Sequence, residues 1–332
     1  MRSLIHIMGN ISISDIVLDY LSYLKSVNIF KKMMTFIIYR RIYRNSFSVL
    51  MNILLKKYPI DAVLRNGTHV VLHNCMEAQT PYGINIFGGR HEGINYDIPN
   101  DIVTLSAKRF DLEGTITIYG GTTNGDIFGI FVDNTYQYLP VINRTVVDIG
   151  ANIAGSAIYF ALCGANKIIG VEPVPKNYEL AQKNIKLNNF SDKITVTLAG
   201  CSSSRSEITI DPSYSNGTYS TLKESKTGIK VPLLTLQDIL NEYDLPSDGS
   251  IILKMDCEGC EYESILSADE NTLQKFDHIM IEYHYGYKNL KQKLEKSGFR
   301  VSITRPKIKS WSPDSSDQKY KLAVGHIYAK KR

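Results

Sequence analysis

The sequence is poor in the features that mark the extreme classes of protein. Five cysteines in 332 residues, at unrelated spacings apart from Cys257-x-x-Cys260, exclude a disulfide scaffold, and the odd count fits a reducing compartment. The 23 glycines and 11 prolines follow no period, which excludes a collagen-like or low-complexity chain. No apolar run reaches the ~18 residues a bilayer helix needs. Phe36-Ile37-Ile38-Tyr39 stops at Arg40-Arg41, and Val49 to Leu55 stops at Lys56-Lys57. Nor does the start read as a secretory leader, because Asn10 and Asp15 interrupt the short apolar run after Arg2. The expectation is a cytoplasmic protein.

What is present suits a globular chain: 43% hydrophobic and 21% charged residues, enough for one large domain or two. The formal charge of +5 is unevenly spread. Residues 1–57 hold nine Lys/Arg against Asp15 and Asp19, so the remainder is slightly acidic. Most such runs are solvated faces, but residues 25–57 are also the segment that could touch a membrane surface at its periphery. Nucleic acid is not the expected partner.

The hydrophobic period divides the chain into three parts. Residues 1–57 form a basic segment with apolar positions at helical spacing, such as Ile16, Leu18, Leu21 and Leu24, then Val49, Ile53 and Leu54. Residues 58–140 read as an accessory antiparallel β region. There Asn66-Gly67 turns a hairpin between Ala62-Val63-Leu64 and Val70-Val71-Leu72, Thr115 to Tyr119 alternates, and Ile127 to Val132 follows. From 141 to 332 short apolar strands alternate with helical stretches, the pattern of an α/β fold. The expected architecture is a Rossmann-like, doubly wound, mostly parallel sheet closed by an antiparallel pair, Phe299 to Thr304 with Ala323 to Tyr328. A polar insert spans 202–250, with Tyr214, Asn216 and Tyr219 as candidate acceptor contacts.

Chemistry concentrates where the first of these strands ends, at Asp148-Ile149-Gly150-Ala151-Asn152-Ile153-Ala154-Gly155-Ser156. Ligands of open α/β sheets bind at carboxyl ends of strands, where small residues permit close approach. Glu172, at the end of the next strand, is placed to accept hydrogen bonds from ribose hydroxyls. A dinucleotide requires glycine where Asn152 stands, and Asp148 would repel a pyrophosphate while suiting the ammonium of S-adenosylmethionine. No Walker lysine is present, which argues against ATP.

These residues resemble the FkbM-type methyltransferases of the S-adenosylmethionine-dependent superfamily. The likeness rests on Val146 to Asn152, on Val171-Glu172-Pro173-Val174-Pro175 with Leu180, Asn184 and Asn188 behind it, and on Lys254-Met255-Asp256-Cys257-Glu258-Gly259-Cys260-Glu261. The resemblance implies that Asp148, Gly150 and Asn152 hold the methionine end, Glu172 the ribose, and that Gly200-Cys201 lie near adenine. Ala151, Gly155, Ser156 and Pro173 complete the cofactor set. The family usually has glycine where Ala154 stands, related members carry an acid where Gly155 stands, and Gln237 replaces a common Asp.

Asp256 with Glu258, and Glu282 with His284, alternate at the ends of the fourth and fifth strands, so each pair could share one face. A hydroxyl acceptor needs somewhere to send its proton, and Asp256 or His284 could take it, with Glu282 beside them. Glu261 is expected to anchor a loop through backbone hydrogen bonds. A divalent cation on the same four side chains ranks below direct proton transfer, so no metal is expected. Cys257 and Cys260 are expected to be packing residues, Arg305, Lys307 and Lys309 to be solvated, and Trp311 to lie in a Ser/Pro-rich loop.

The function expected is methyl transfer from S-adenosylmethionine to a hydroxyl of a sugar, glycolipid or small metabolite. The preference for oxygen follows from the resemblance. Two alternatives stand beside it: a nicotinamide-dependent oxidoreductase, and a non-catalytic nucleic-acid or membrane-surface binder on the same fold.

Overall fold

A computed structural model describes residues 36–37, 39–73, 77–78, 93–97, 99–121, 126–212, 225–245, 250–311 and 320–332. The helical positions expected before residue 36, Cys75, and Tyr214, Asn216 and Tyr219 lie outside the described residues. The chain divides into two compact units, with the boundary between Gln137 and Tyr138.

In the first unit, helix α1 (Ser46–Leu54) precedes a hairpin of β1 (Ile60–Val63) and β2 (His69–Leu72). Ile60 pairs with Leu72 and Val63 with His69. Gly67 takes φ +94° but Asn66 does not adopt positive φ, so the turn is wider than a two-residue Asn-Gly turn. The Thr68 N–H caps back onto Asn66 Oδ1. Strands β3 (Ile94–Asp97), β4 (Ile102–Ser106) and β5 (Thr115–Tyr119) form an antiparallel sheet in that order. Ile127 to Val132, expected within the β region, falls instead largely in helix α2 (Asp126–Phe131). Its buried Ile127, Ile130 and Phe131 lie three and four apart, a helical spacing that a short apolar run conceals.

The second unit is the α/β part. Its parallel strands are β6 (Thr145–Ile149), β7 (Lys167–Glu172) and β8 (Ile194–Leu198), alternating with α3 (Gly155–Leu162) and α4 (Pro175–Leu187). Pro175 opens α4, where its missing N–H costs nothing, and Asn189 follows its end in the left-handed region at φ +58°. The insert is ordered around a small sheet of β9 (Gly200–Cys201), β10 (Ser206–Ile210) and β11 (Ile229–Leu234). A helix the periodicity did not reveal, α5 (Leu236–Glu242), starts on a capping box in which Thr235 and Asp238 bond each other's backbone N–H groups.

The remaining elements are β12 (Ile251–Met255), α6 (Cys260–Ser267), α7 (Glu270–Leu273), β13 (Phe276–Tyr283), α8 (Lys288–Lys296), β14 (Phe299–Ile303), β15 (Lys307–Trp311) and β16 (Tyr320–Lys331). The main sheet runs β14-β16-β13-β12-β6-β7-β8. β8, β7, β6, β12 and β13 are parallel, and β16 is antiparallel to both β13 and β14. This is the expected doubly wound α/β sheet with its closing antiparallel pair. Arg305 and Lys307 are exposed, as expected, while Lys307 to Trp311, the last of them expected in a loop, form a strand paired with β16.

Burial on both faces explains why β6 and β12 read as mostly apolar rather than alternating, interrupted by Asp148 and Lys254, which pair with each other. Each fully buried Val, Leu or Ile there contributes about 1.5–3 kcal/mol. After β8 the chain returns past β6 to β12, so β6 lies between strands whose connections diverge in opposite directions. The crevice of an open α/β sheet forms at that divergence, over the strand tips.

Candidate active site

Three strand tips carry the polar residues, and the first belongs to β6. Asp148 is fully buried, with its carboxylate 2.8 Å from the Lys254 ammonium and accepting from the Ser156 hydroxyl at 2.6 Å. Lys254, itself 2% exposed, also donates to the Gly150 carbonyl at 2.9 Å. The carboxylate read from the sequence as facing a ligand's ammonium therefore already holds one from β12. The signal for this partner was present: a lysine inside the apolar run Ile251–Met255 must be paired if it is buried.

Gly150 is also required for a different reason. It has φ +78°, and a Cβ there would lie 1.9 Å from the Asp256 carbonyl oxygen. The β6 loop thus rests on the backbone following β12, and close backbone approach there accounts for glycine at position 150. Ala151 is accommodated by Gly170 of β7, where an added Cβ would come 3.0 Å from the Ala151 Cβ. Ala154 caps α3 in the left-handed region at φ +66°, the position where the family has glycine. Gly155 and Ser156 open α3 as buried residues.

At the tip of β7, Glu172 accepts from the backbone N–H of Asn152 at 2.8 Å and of Val174 at 2.9 Å, and from the Asn177 amide at 3.4 Å. Burial pushes its pKa up to about 7, against these three donors and the nearby Lys254 charge. Glu172 therefore pins the Asn152 loop to the turn at Pro173. Asn184 of α4 adds a second tie, donating to the Ile153 carbonyl at 3.0 Å. Gly200 and Cys201 follow β8 and pair with Leu233 and Leu234 of β11. The Cys201 side chain joins the hydrophobic core, where burial pushes its thiol up to about 12.

The acid group lies at the tips of β12 and β13. His284 is 4% exposed, with Nε2 at 3.4 Å from Glu258 and 3.8 Å from Asp256, and Nδ1 at 3.0 Å from Glu261. Burial opposes a charged ring, but the carboxylates of Glu258, Glu261 and Asp256 outweigh it and lift the pKa well above the ordinary histidine value. One donor atom each from Asp256, Glu258 and His284 lies within 4.8 Å of the others, so these three could hold a cation.

The route to this grouping differs from strand alternation. β12 ends at Met255, and Glu258 and Gly259 take φ +57° and +124°, so a tight turn brings Asp256 and Glu258 onto His284. Glu282 is not brought into the group. It faces the closing strand, where its carboxylate lies 3.5 Å from His326 of β16. Glu261 accepts from the Gly259 N–H at 2.8 Å, the loop-anchoring role expected, and holds His284 as well.

Cys257 and Cys260 are bonded to each other across this turn, rather than packed as free residues. Sequence reasoning also missed Tyr262, whose hydroxyl donates to the Gly286 carbonyl and accepts from the Tyr285 N–H at 2.8 Å, fixing the chain beyond His284.

Comparison with known proteins agrees with this assembly. The profile of the methyltransferase FkbM domain matches residues 148–301. Methyltransferase sdnD of Sordaria araneosa is 29% identical over 221 residues, covering 56% of this chain and 84% of that protein. Methyltransferase 1 of Beauveria bassiana is 24% identical over 213 residues, 55% and 82% of the two chains. A crystal structure of methyltransferase FkbM from Methylobacillus flagellatus aligns with 77% of this chain and 55% of that one, at 15% identity and a TM-score of 0.39. The span from Asp148 to Val301, which contains all three polar strand tips, is thus the part of the chain that is similar to the methyltransferase FkbM domain.

Proposed function

We propose that this domain transfers a methyl group from S-adenosylmethionine to a hydroxyl of a sugar, a glycolipid or a small metabolite. One observation carries the reading. The strand-order divergence separates a buried acid that braces a loop, Glu172 at β7, from the group of Asp256, Glu258 and His284 at β12 and β13. A two-substrate transfer needs such a division, with one side to hold the donor and the other to receive the acceptor's proton.

The residues on the donor side fit a nucleoside. A carboxylate offers about four acceptor positions, and Glu172 engages three N–H donors, which leaves capacity toward a ribose hydroxyl. Gly150 to Asn152 would border the methionine end, with Asp148 acting on that loop through Lys254 rather than by direct contact. When bound, S-adenosylmethionine supplies an electrophilic methyl group. On the acceptor side a charged His284 cannot take a proton, so that role falls to Asp256, while His284 and Glu261 orient it.

A second reading is favoured by one detail. His284 turns Nδ1 to the Glu261 carboxylate and Nε2 to two further acids, as metal-ligating histidines do. A divalent cation at Nε2 would displace the ring proton and activate the acceptor hydroxyl.

The test is incubation of the purified chain with methyl-labelled S-adenosylmethionine and a cell extract, followed by mass spectrometry. Label should appear on oxygen of a small or glycan compound and vanish in Asp256→Asn. Failure to bind S-adenosylmethionine in equilibrium dialysis, with binding of NADH instead, would overturn the reading. Loss of labelling with EDTA and its return with magnesium would favour the cation.

A further inference from the structure

Helix α1 is apolar on two faces, and the first unit uses only one of them. Val49 is fully buried and Ile53 packs beside it, in a core with Tyr39, Tyr43, Ile60 and Leu72. On the other side Phe47, Met51 and Leu54 fall within about 60° of one another at helical spacing, and they are 67%, 37% and 62% exposed. Leu55, at 57%, and Ile37, at 45%, extend the patch, and the Phe36 ring meets Phe47 edge-on at 6.4 Å. A helix apolar on nearly all sides is normally enclosed, and large bare apolar patches mark interaction sites.

The rim of this patch is cationic. Arg40, Arg41 and Arg44 precede the helix, Lys56 and Lys57 follow it, and Arg65 reaches in from the hairpin, all of them exposed. Arg44 and Arg65 are fixed by hydrogen bonds from Nε to the carbonyls of Arg65 and Arg40, at 3.1 and 2.6 Å. None of the six forms an ion pair among the described residues, and Asp61 is the only acid between positions 36 and 73.

We propose that the Phe47–Leu55 face with its arginine and lysine rim is a docking surface for an anionic phospholipid bilayer. Charge complementarity and the apolar anchors point to the same occupant, because lipid headgroups meet the cations while the interface takes up Phe47, Leu54 and Leu55. A nucleic acid would satisfy the cations and leave the apolar residues in water. A second copy in a two-fold contact would set cation against cation. The inference is independent of the reading of the catalytic crevice.

The test is co-sedimentation of the full chain with phosphatidylcholine vesicles with and without phosphatidylserine. Binding should require phosphatidylserine and weaken as salt rises from about 0.1 to about 0.5 M. It should fall at least about tenfold in Phe47→Ser/Leu54→Ser, and also in Lys56→Ala/Lys57→Ala. Both pairs are exposed, so circular dichroism should show an unchanged fold. Absence of binding, or binding indifferent to phosphatidylserine or to either double variant, would overturn the proposal. So would lipid-free dimerisation abolished by Phe47→Ser/Leu54→Ser, or salt-sensitive RNA binding that survives that substitution.

Discussion

Replacing Lys254 with methionine should show how much the site depends on the buried Asp148–Lys254 pair. The substitution removes the ammonium 2.8 Å from Asp148 and leaves that carboxylate, at 0% exposure, with the Ser156 hydroxyl. Stranding one partner of a buried ion pair costs about 3–5 kcal/mol, and the Gly150 carbonyl loses its donor as well. For a unit of this size that corresponds to roughly 6–20 °C in Tm. The double variant Asp148→Asn/Lys254→Met removes both charges, so it should recover at least about 1 kcal/mol relative to the sum of the single variants. Denaturant unfolding followed by circular dichroism measures both quantities. A loss below about 1 kcal/mol in Lys254→Met, or strict additivity in the cycle, would refute the idea that this pair sets the β6 loop.

Gly150→Ala should fail to fold normally or lose S-adenosylmethionine binding, since its Cβ would meet the Asp256 carbonyl at 1.9 Å. Ala154→Gly should be nearly neutral in stability, because relief of the left-handed backbone at φ +66° offsets the loss of one buried methyl. Thermal melts of the two variants test the contrast. His284 has a raised folded pKa, so its contribution to stability should be complete below its unfolded value of about 6.5 and decline as pH rises through the folded value. Comparing wild type with His284→Gln by denaturation across pH checks that sign. Glu172 is a raised acid: between pH 4.5 and about 7 the folded chain holds the proton that the unfolded chain has released, so stability should fall as pH rises across that window. Glu172→Gln should remove that part of the slope. Alkylation without reductant, read by peptide mass spectrometry, should leave Cys257 and Cys260 unmodified until the disulfide is reduced.

The sheet was legible because its strands are buried on both faces and separated by helices of ordinary length. The alternation of short apolar strands with helical stretches expected from residue 141 onward is seen in β6 to β8 with α3 and α4. Short elements were less legible: α2 and β15 are six and five residues long, too few to separate a helical period from an alternating one. In the site, residue types at strand tips directed attention to Asp148, Glu172, Asp256 and His284, which the structure places at the tips of β6, β7, β12 and β13, but not to their partners. Asp148 meets Lys254 across neighbouring strands 106 positions apart in number, and sequence spacing carries no record of that register. Glu282 lies beside His326 because alternation fixes which face a side chain occupies, not which neighbouring strand it meets.

The seat of Gly150 on the Asp256 carbonyl, beside the hydrogen bond from the Asp256 N–H to the Ile149 carbonyl at 3.0 Å, joins the two halves of the crevice through the backbone. Whatever shifts one shelf must drag the other, so under the proposed function the separation between the donor side and Asp256 would be the same for every acceptor. Diversification of this scaffold would then have to proceed in the surrounding loops, with that weld left untouched.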